Sequence, residues 1–79
     1  MNVAVLKKLG LTMYEAQAYV TLTSLILSTA TEISEKSGIP RSKIYEVLKG
    51  LVQKEYVDVE DGRPLTYNVR SPVEVLSRE

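Results

Sequence analysis

The sequence predicts a mainly α-helical fold finished by a small β-hairpin. Three observations carry this. Apolar residues recur at helical spacing up to Gln53, and the period then switches to alternation between Tyr56 and Val69. Two Thr-x-x-Glu boxes and two glycines divide the helical part into short pieces. A chain of 79 residues holds one domain with a single modest core.

Val3, Leu6 and Leu9 share a face, with Lys7 and Lys8 where a helix C-terminus favours cations, so a first helix is expected over 2–9, stopped by Gly10. Thr12-Met13-Tyr14-Glu15 is a capping box that opens a second helix from about Met13 to Ile26. Its apolar stripe is Ala18, Leu22, Leu25 and Ile26, with Tyr14 and Tyr19 partly buried beside it. The β-branched Val20, Thr21 and Thr23 lower its propensity, so packing must hold it. Leu27 to Ala30 reads as extended and able to pair with a later hairpin. Thr29-Ala30-Thr31-Glu32 is a second capping box, opening a helix of about two turns with Ile33 inward and Gly38 as its stop. Pro40 suits a first helical position, where its missing N–H costs nothing, so a fourth helix is expected over 40–53. Ile44, Val47, Leu48 and Leu51 form its apolar face. Alternating apolar residues then flank Glu60-Asp61-Gly62-Arg63-Pro64, a hairpin whose Asp-Gly supplies positive φ and whose Pro64 belongs at the tip or on an edge. Ser71-Pro72-Val73-Glu74 reads as the start of a last helix.

A short helix, a tight glycine-containing turn, an amphipathic helix and a hairpin, in that order, make a winged helix-turn-helix. It is one domain over 1–79, with a recognition helix at about 40–53, a wing at about 56–69 and a last helix only begun. The major groove of duplex DNA admits one helix, and residues at that helix's amino end reach base edges. Cations and small hydroxyls are expected there, and Arg41, Ser42 and Lys43 supply them. Ten Lys and Arg balance ten Asp and Glu, but the charge is uneven. Between 36 and 54 the cations Lys36, Arg41, Lys43, Lys49 and Lys54 meet only Glu46, and Glu55, Asp58, Glu60 and Asp61 follow in a block. The expected partner is double-stranded DNA.

With no Cys and no His, thiol nucleophiles, imidazole bases and nearly every transition-metal site are excluded. Glu60 and Asp61 are adjacent in a turn with no nucleophile implied, so neither an enzyme nor a cofactor is expected. The stretch from Ala16 to Leu27 is too short and polar to span a bilayer, and the amino terminus lacks the order of a signal peptide. A cytoplasmic chain without membrane or small-molecule site is expected.

Leu9-Gly10-Leu11-Thr12-x-Tyr14-Glu15-Ala16, Thr29-Ala30-Thr31-Glu32-Ile33 and Ser37-Gly38-Ile39-Pro40-Arg41-Ser42-Lys43-Ile44-Tyr45-Glu46-Val47-Leu48 resemble the N-terminal DNA-binding domain of the TrmB family. Leu51-Val52-x-Lys54-x-Tyr56-Val57, Gly62-Arg63-Pro64, Tyr67 and Ser71-Pro72 continue the likeness over nearly the whole chain. The run from Pro40 to Leu48 is its most specific part. The resemblance implies a mainly archaeal type of sugar-responsive transcriptional regulator whose winged helix dimerises. Family members continue into a coiled coil and an effector-binding domain, and no position here corresponds to a sugar site. Leu25-Ile26-Leu27-Ser28 departs from the family's usual Gly-rich approach to the extended piece.

Arg41 is a candidate for guanine or phosphate, against a solvated first-turn residue. Lys43 and Lys49 suit phosphate or plain solvent, and Lys36 belongs to the same basic run. Tyr45 fits a thymine methyl, a phosphate, Arg41 itself or a supporting half-buried role. Glu46 fits a cytosine amine, the orientation of Arg41, or surface pairing with Lys43 or Lys49. Ser42, Thr29 and Thr31 can donate to phosphate, although both threonines are also explained as caps. Arg63 marks the wing tip beside the repelling Glu60 and Asp61. Val3, Val5 and Leu6 at one end and Val73, Val75 and Leu76 at the other exceed what so small a core easily absorbs; they fit either the core or, as the favoured reading, a homodimer seam through the first and last helices. The competing class is a winged-helix protein-interaction module, which the zero net charge favours.

Overall fold

The computed structural model describes residues 3–70. Helices α1 (Val3–Lys8), α2 (Met13–Thr23), α3 (Ala30–Ser37) and α4 (Arg41–Gln53) are joined by strand β1 (Ser28–Thr29) and followed by β2 (Val57–Glu60) and β3 (Thr66–Val69). The helix expected from Ser71 lies outside the described residues.

Both capping boxes form. Thr12 accepts from Glu15 N at 3.1 Å while Glu15 Oε1 accepts from Thr12 N at 2.9 Å. Thr29 and Glu32 repeat the exchange at 3.2 and 2.9 Å. Gly10 and Gly38 take the left-handed conformation at φ 100° and 78°, stopping α1 and α3. The expected pairing of the extended piece is present: Ser28 faces Tyr67 and Thr29 faces Thr66, giving an antiparallel sheet in the order β1-β3-β2.

Four local expectations are corrected. Helix α2 ends at Thr23, short of Ile26. The Thr23 and Ser24 hydroxyls donate back to the Val20 and Thr21 carbonyls, competing with helix continuation. Leu25 is then half-buried, and Ile26 is 92% exposed instead of joining the apolar stripe. Pro40, at ψ 142°, is the cap of α4 and not its first helical residue; its carbonyl accepts from Lys43 N and Ile44 N at 2.9 and 3.1 Å. Gly62 has no positive φ, and the hairpin turn instead contains a cis peptide between Arg63 and Pro64. Tyr14 is also more open than expected.

The core lies between the four helices and the inner face of the sheet. Leu6, Tyr19, Leu22, Ile33, Ile39, Ile44, Leu48, Leu51 and Val57 are its largest sealed side chains. Each aliphatic one contributes about 1.5–3 kcal/mol on leaving water. Tyr19 and Tyr56 meet edge to face with ring centres 6.1 Å apart. Their hydroxyls donate to the carbonyls of Arg70 and Leu9, at 3.3 and 3.4 Å, tying the far end of the hairpin and the end of α1 to the core.

Candidate nucleic-acid interface

Helix α4 turns Ile44, Val47, Leu48 and Leu51 into the core. At about 100° per residue, Ser42, Glu46, Lys49 and Gln53 fall opposite that stripe. All four are exposed. Arg41 and Tyr45 flank them on one side and Lys43 on the other. Tyr45 is 58% exposed, and Arg41 and Lys43 are exposed as well. Among the described residues none of these side chains forms an ion pair, so the pairing of Glu46 with Lys43 or Lys49 is not made.

The first turn of α4 differs from those of α2 and α3. Pro40 has no side-chain oxygen to offer, and the helix has no side-chain cap bond. Lys43 N and Ile44 N donate to the Pro40 carbonyl, so the N–H groups of Arg41 and Ser42 are the ones left for solvent or an acceptor of another kind.

Two shallow hollows border the exposed face. Tyr45, Lys49, Val52 and Gln53 meet Val59, Leu65 and Tyr67 of the hairpin around a largely apolar groove of about 280 Å³. The groove continues the core outward. Val57 and Val59 share one side of β2, but Val57 is buried under α4 whereas Val59, farther along the hairpin, is 41% exposed. Burial raises the Tyr67 phenol above the usual tyrosine range, and the Tyr45 phenol adds to the shift. On the other flank, Lys43, Glu46 and Val47 face Thr12, Tyr14 and Glu15 across a cleft of similar size.

The remaining candidates are spread more widely. Thr29 caps α3, its hydroxyl engaged with both Glu32 N and Glu32 Oε1, and it pairs with Thr66 at the turn end of the hairpin, where Thr66 also faces Glu60. Thr31 is half-buried in the first turn of α3. Lys36 is exposed in the last turn of α3 and Arg63 is exposed in the hairpin turn; neither lines either of the two hollows described above. Glu60 and Asp61 are exposed beside Arg63, whereas Asp58 and Glu55 are held by Arg70, at 3.1 and 3.6 Å. Lys54, counted in the basic run, is bound to Glu15 at 2.6 Å and does not add to the α4 face.

Residues 6–73 match the family model described as sugar-specific transcriptional regulator TrmB. The chain belongs to the TrmB family. Among its TrmB-family relatives, the HTH-type sugar sensing transcriptional regulator TrmBL1 of Pyrococcus furiosus is 45% identical over 73 residues, 92% of this chain and 21% of the relative. YrhO of Bacillus subtilis, an uncharacterized protein, is 44% identical over 63 residues, 80% of this chain and 23% of its own. The chain thus spans about a fifth to a quarter of the length of these curated relatives. The solved structure of TrmBL2, an archaeal chromatin protein described as showing a novel mode of DNA binding, superposes with a TM-score of 0.90 at 31% identity. That match covers 96% of this chain and 30% of TrmBL2. A MarR-family regulator from Silicibacter pomeroyi shares the fold, with a TM-score of 0.76 at 20% identity over 91% of this chain and 51% of that one.

Within this TrmB-family frame, Gln53 on the exposed face and Tyr14 across the flanking cleft are surface residues that sequence reasoning did not assign to the site. Gln53 was findable, since it lies seven residues after Glu46 on the same helical face. Tyr14 was not, because its position opposite Lys43 depends on how α2 crosses α4.

Proposed function

We propose that this chain binds double-stranded DNA with sequence preference, as the DNA-binding part of a TrmB-type transcriptional regulator. Helix α4 enters the major groove, and the hairpin lies along the neighbouring backbone as a wing. The observation that carries this reading is the unpaired polar face of α4, which starts at an uncapped turn holding Arg41, Ser42 and Lys43. Lys43, Lys49 and the leading N–H groups suit phosphate and set register, with Thr31 and Lys36 as outer phosphate contacts; the Thr29 hydroxyl is spent on Glu32 and does not join them. Arg41, Tyr45 and Glu46 suit base edges: guanine, a thymine methyl and a cytosine amine respectively. Arg63 is the wing's phosphate contact, weakened by Glu60 and Asp61.

The reading includes a homodimer built through the first and last helices, which would present two α4 helices to half-sites about 34–36 Å apart. The half-exposed Val5 on α1 supports such a seam, whereas Leu6, expected in the seam from its sequence position, is sealed in the core and Val3 packs against it. It also includes an archaeal, cytoplasmic setting and no catalytic role. Sugar sensing is named for relatives several times longer, and no residue of this chain is assigned to it.

The test is selection from a random duplex pool followed by titration of the enriched duplex across salt concentrations. Binding is expected to weaken steeply as salt rises, by counterion release. No enrichment, together with negligible duplex binding at low salt, would overturn the proposal. It would favour the second reading, a protein-interaction module, for which the apolar groove between α4 and the hairpin and the zero net charge speak.

A further inference from the structure

Glu15 does more than a capping carboxylate requires. Its side chain is 9% exposed, and Oε1 accepts both from Thr12 N at 2.9 Å and from Lys54 Nζ at 2.6 Å. The same ammonium donates to Gly10 O at 3.1 Å. Lys54 is the C-cap of α4, so the carboxyl end of that helix is bound to the turn between α1 and α2. The other carboxylate oxygen, Oε2, lies against Gly50, on the adjoining turn of α4. A Cβ built on Gly50 would collide with that oxygen and lie 3.4 Å from the carboxyl carbon. Gly50 has no positive φ, and glycine inside a helix is unfavourable relative to alanine. Its backbone conformation therefore does not call for glycine, whereas the Glu15 carboxylate does for as long as Thr12 N and Lys54 Nζ hold the end of that otherwise flexible side chain in place.

We infer that Glu15, Lys54 and Gly50 form a joint that fixes the carboxyl half of α4 on α2 and thereby sets the angle at which the exposed face of α4 is offered to DNA. The amino end of α4 is anchored separately, by the sealed Ile39 and Ile44 and by Ser34 Oγ donating to Ile39 O at 2.6 Å, and the joint supplies the anchor at the other end. Arg41 lies nine residues before Gly50, about 13 Å along the helix, so a tilt of about 10° at the joint moves Arg41 by about 2 Å. Glu15 and Gly50 are positioning residues here, since neither lies on the exposed face. The DNA clause rests on the reading of α4 as the recognition helix; the joint itself does not.

A double-variant cycle on the full chain tests it. Urea midpoints are measured for wild type, Gly50→Ala, Glu15→Ala and the pair together, with Glu15→Gln as an isosteric control. Gly50→Ala is expected to lower the midpoint in the wild-type and Glu15→Gln backgrounds and to raise it in the Glu15→Ala background. There the space is free and only helix propensity remains. Should Gly50→Ala fail to fold alone while the double variant folds, the same sign reversal is met. A shift of the same sign in all three backgrounds overturns the joint. Duplex titration of the folded variants then tests positioning. Gly50→Ala is expected to lose roughly tenfold in affinity, and the double variant to recover relative to Glu15→Ala. Unchanged affinities, with the stability reversal present, overturn the positioning role. Absence of duplex binding by wild type overturns the DNA reading and its positioning clause, while the stability cycle still decides the joint.

Discussion

Arg41 occupies the first residue of α4, where a cation meets the positive end of the helix dipole. It is exposed and has no ion pair among the described residues, so folding gains nothing from it and an incoming anion gains a great deal. Arg41→Ala is expected to weaken binding at a preferred duplex by about 1–3 kcal/mol, while the urea midpoint stays level or rises. Fluorescence anisotropy titrations of wild type and variant on one duplex check this, and superimposable curves would remove Arg41 from the interface. Lys43 and Lys49 sit on opposite flanks of the same face, and Glu46 between them is poorly suited to phosphate and better suited to a base amine. The positions of these side chains were legible in the sequence because a helical face is a matter of spacing. The fate of Lys54 was not. Its partner Glu15 is 39 residues away, and only the crossing of α2 and α4 brings the two together.

Helices α1 and α4 end in the same hydrogen-bonded arrangement, one with glycine and one without. In α1, Leu11 N donates to Leu6 O and Gly10 N to Lys7 O, at 3.2 and 3.0 Å. In α4, Tyr56 N donates to Leu51 O and Glu55 N to Val52 O, both at 3.0 Å, with Glu55 at φ 66° where α1 has Gly10. A side chain at that position costs about 1–2 kcal/mol, which the greater unfolded-state freedom of glycine offsets only in part. Glu55→Gly is therefore expected to stabilise the fold by about 0.5–1 kcal/mol, read as a higher urea midpoint at unchanged slope. Loss of its long contact with exposed Arg70 changes little. A lower midpoint would contradict this account of the turn. The contrast also explains what could be read in advance. The stops of α1 and α3 were legible because glycine marks them, whereas no residue type announced the left-handed turn after α4. The end of α2 was misplaced for a related reason: periodicity carried the helix through Leu25 and Ile26, but the hydroxyls of Thr23 and Ser24 ended it sooner.

With no Phe or Trp among its residues, the molecule builds its aromatic packing from tyrosine alone. Burial, and then the neighbouring Tyr56 phenol, raise Tyr19 above the ordinary value of 10.0; burial, and then Tyr45, do the same for Tyr67. A phenol whose pKa is higher in the folded chain than in the unfolded one holds its proton longer when folded. The associated stability is complete below pH 10.0 and is lost as pH climbs through the folded values. Urea midpoints are expected to hold up to about pH 9 and fall above about pH 10, with a shallower fall in Tyr19→Phe; identical slopes would assign the loss to other groups. At this scale the order of helices, hairpin and pairing strand was legible, because each element carries a local signature and the connections are short. The two hollows beside α4 were not, since they arise from how far the hairpin extends past the core and from where α2 begins. The sheet has one more consequence. Strand β1 lasts two residues because Thr29 is already the cap of α3, and β2 presents the charged Asp58 and Glu60 along the opposite border. A ladder so brief on one side and so charged on the other gives an incoming strand almost nothing to extend. Edge-to-edge pairing between copies of this domain is thereby disfavoured.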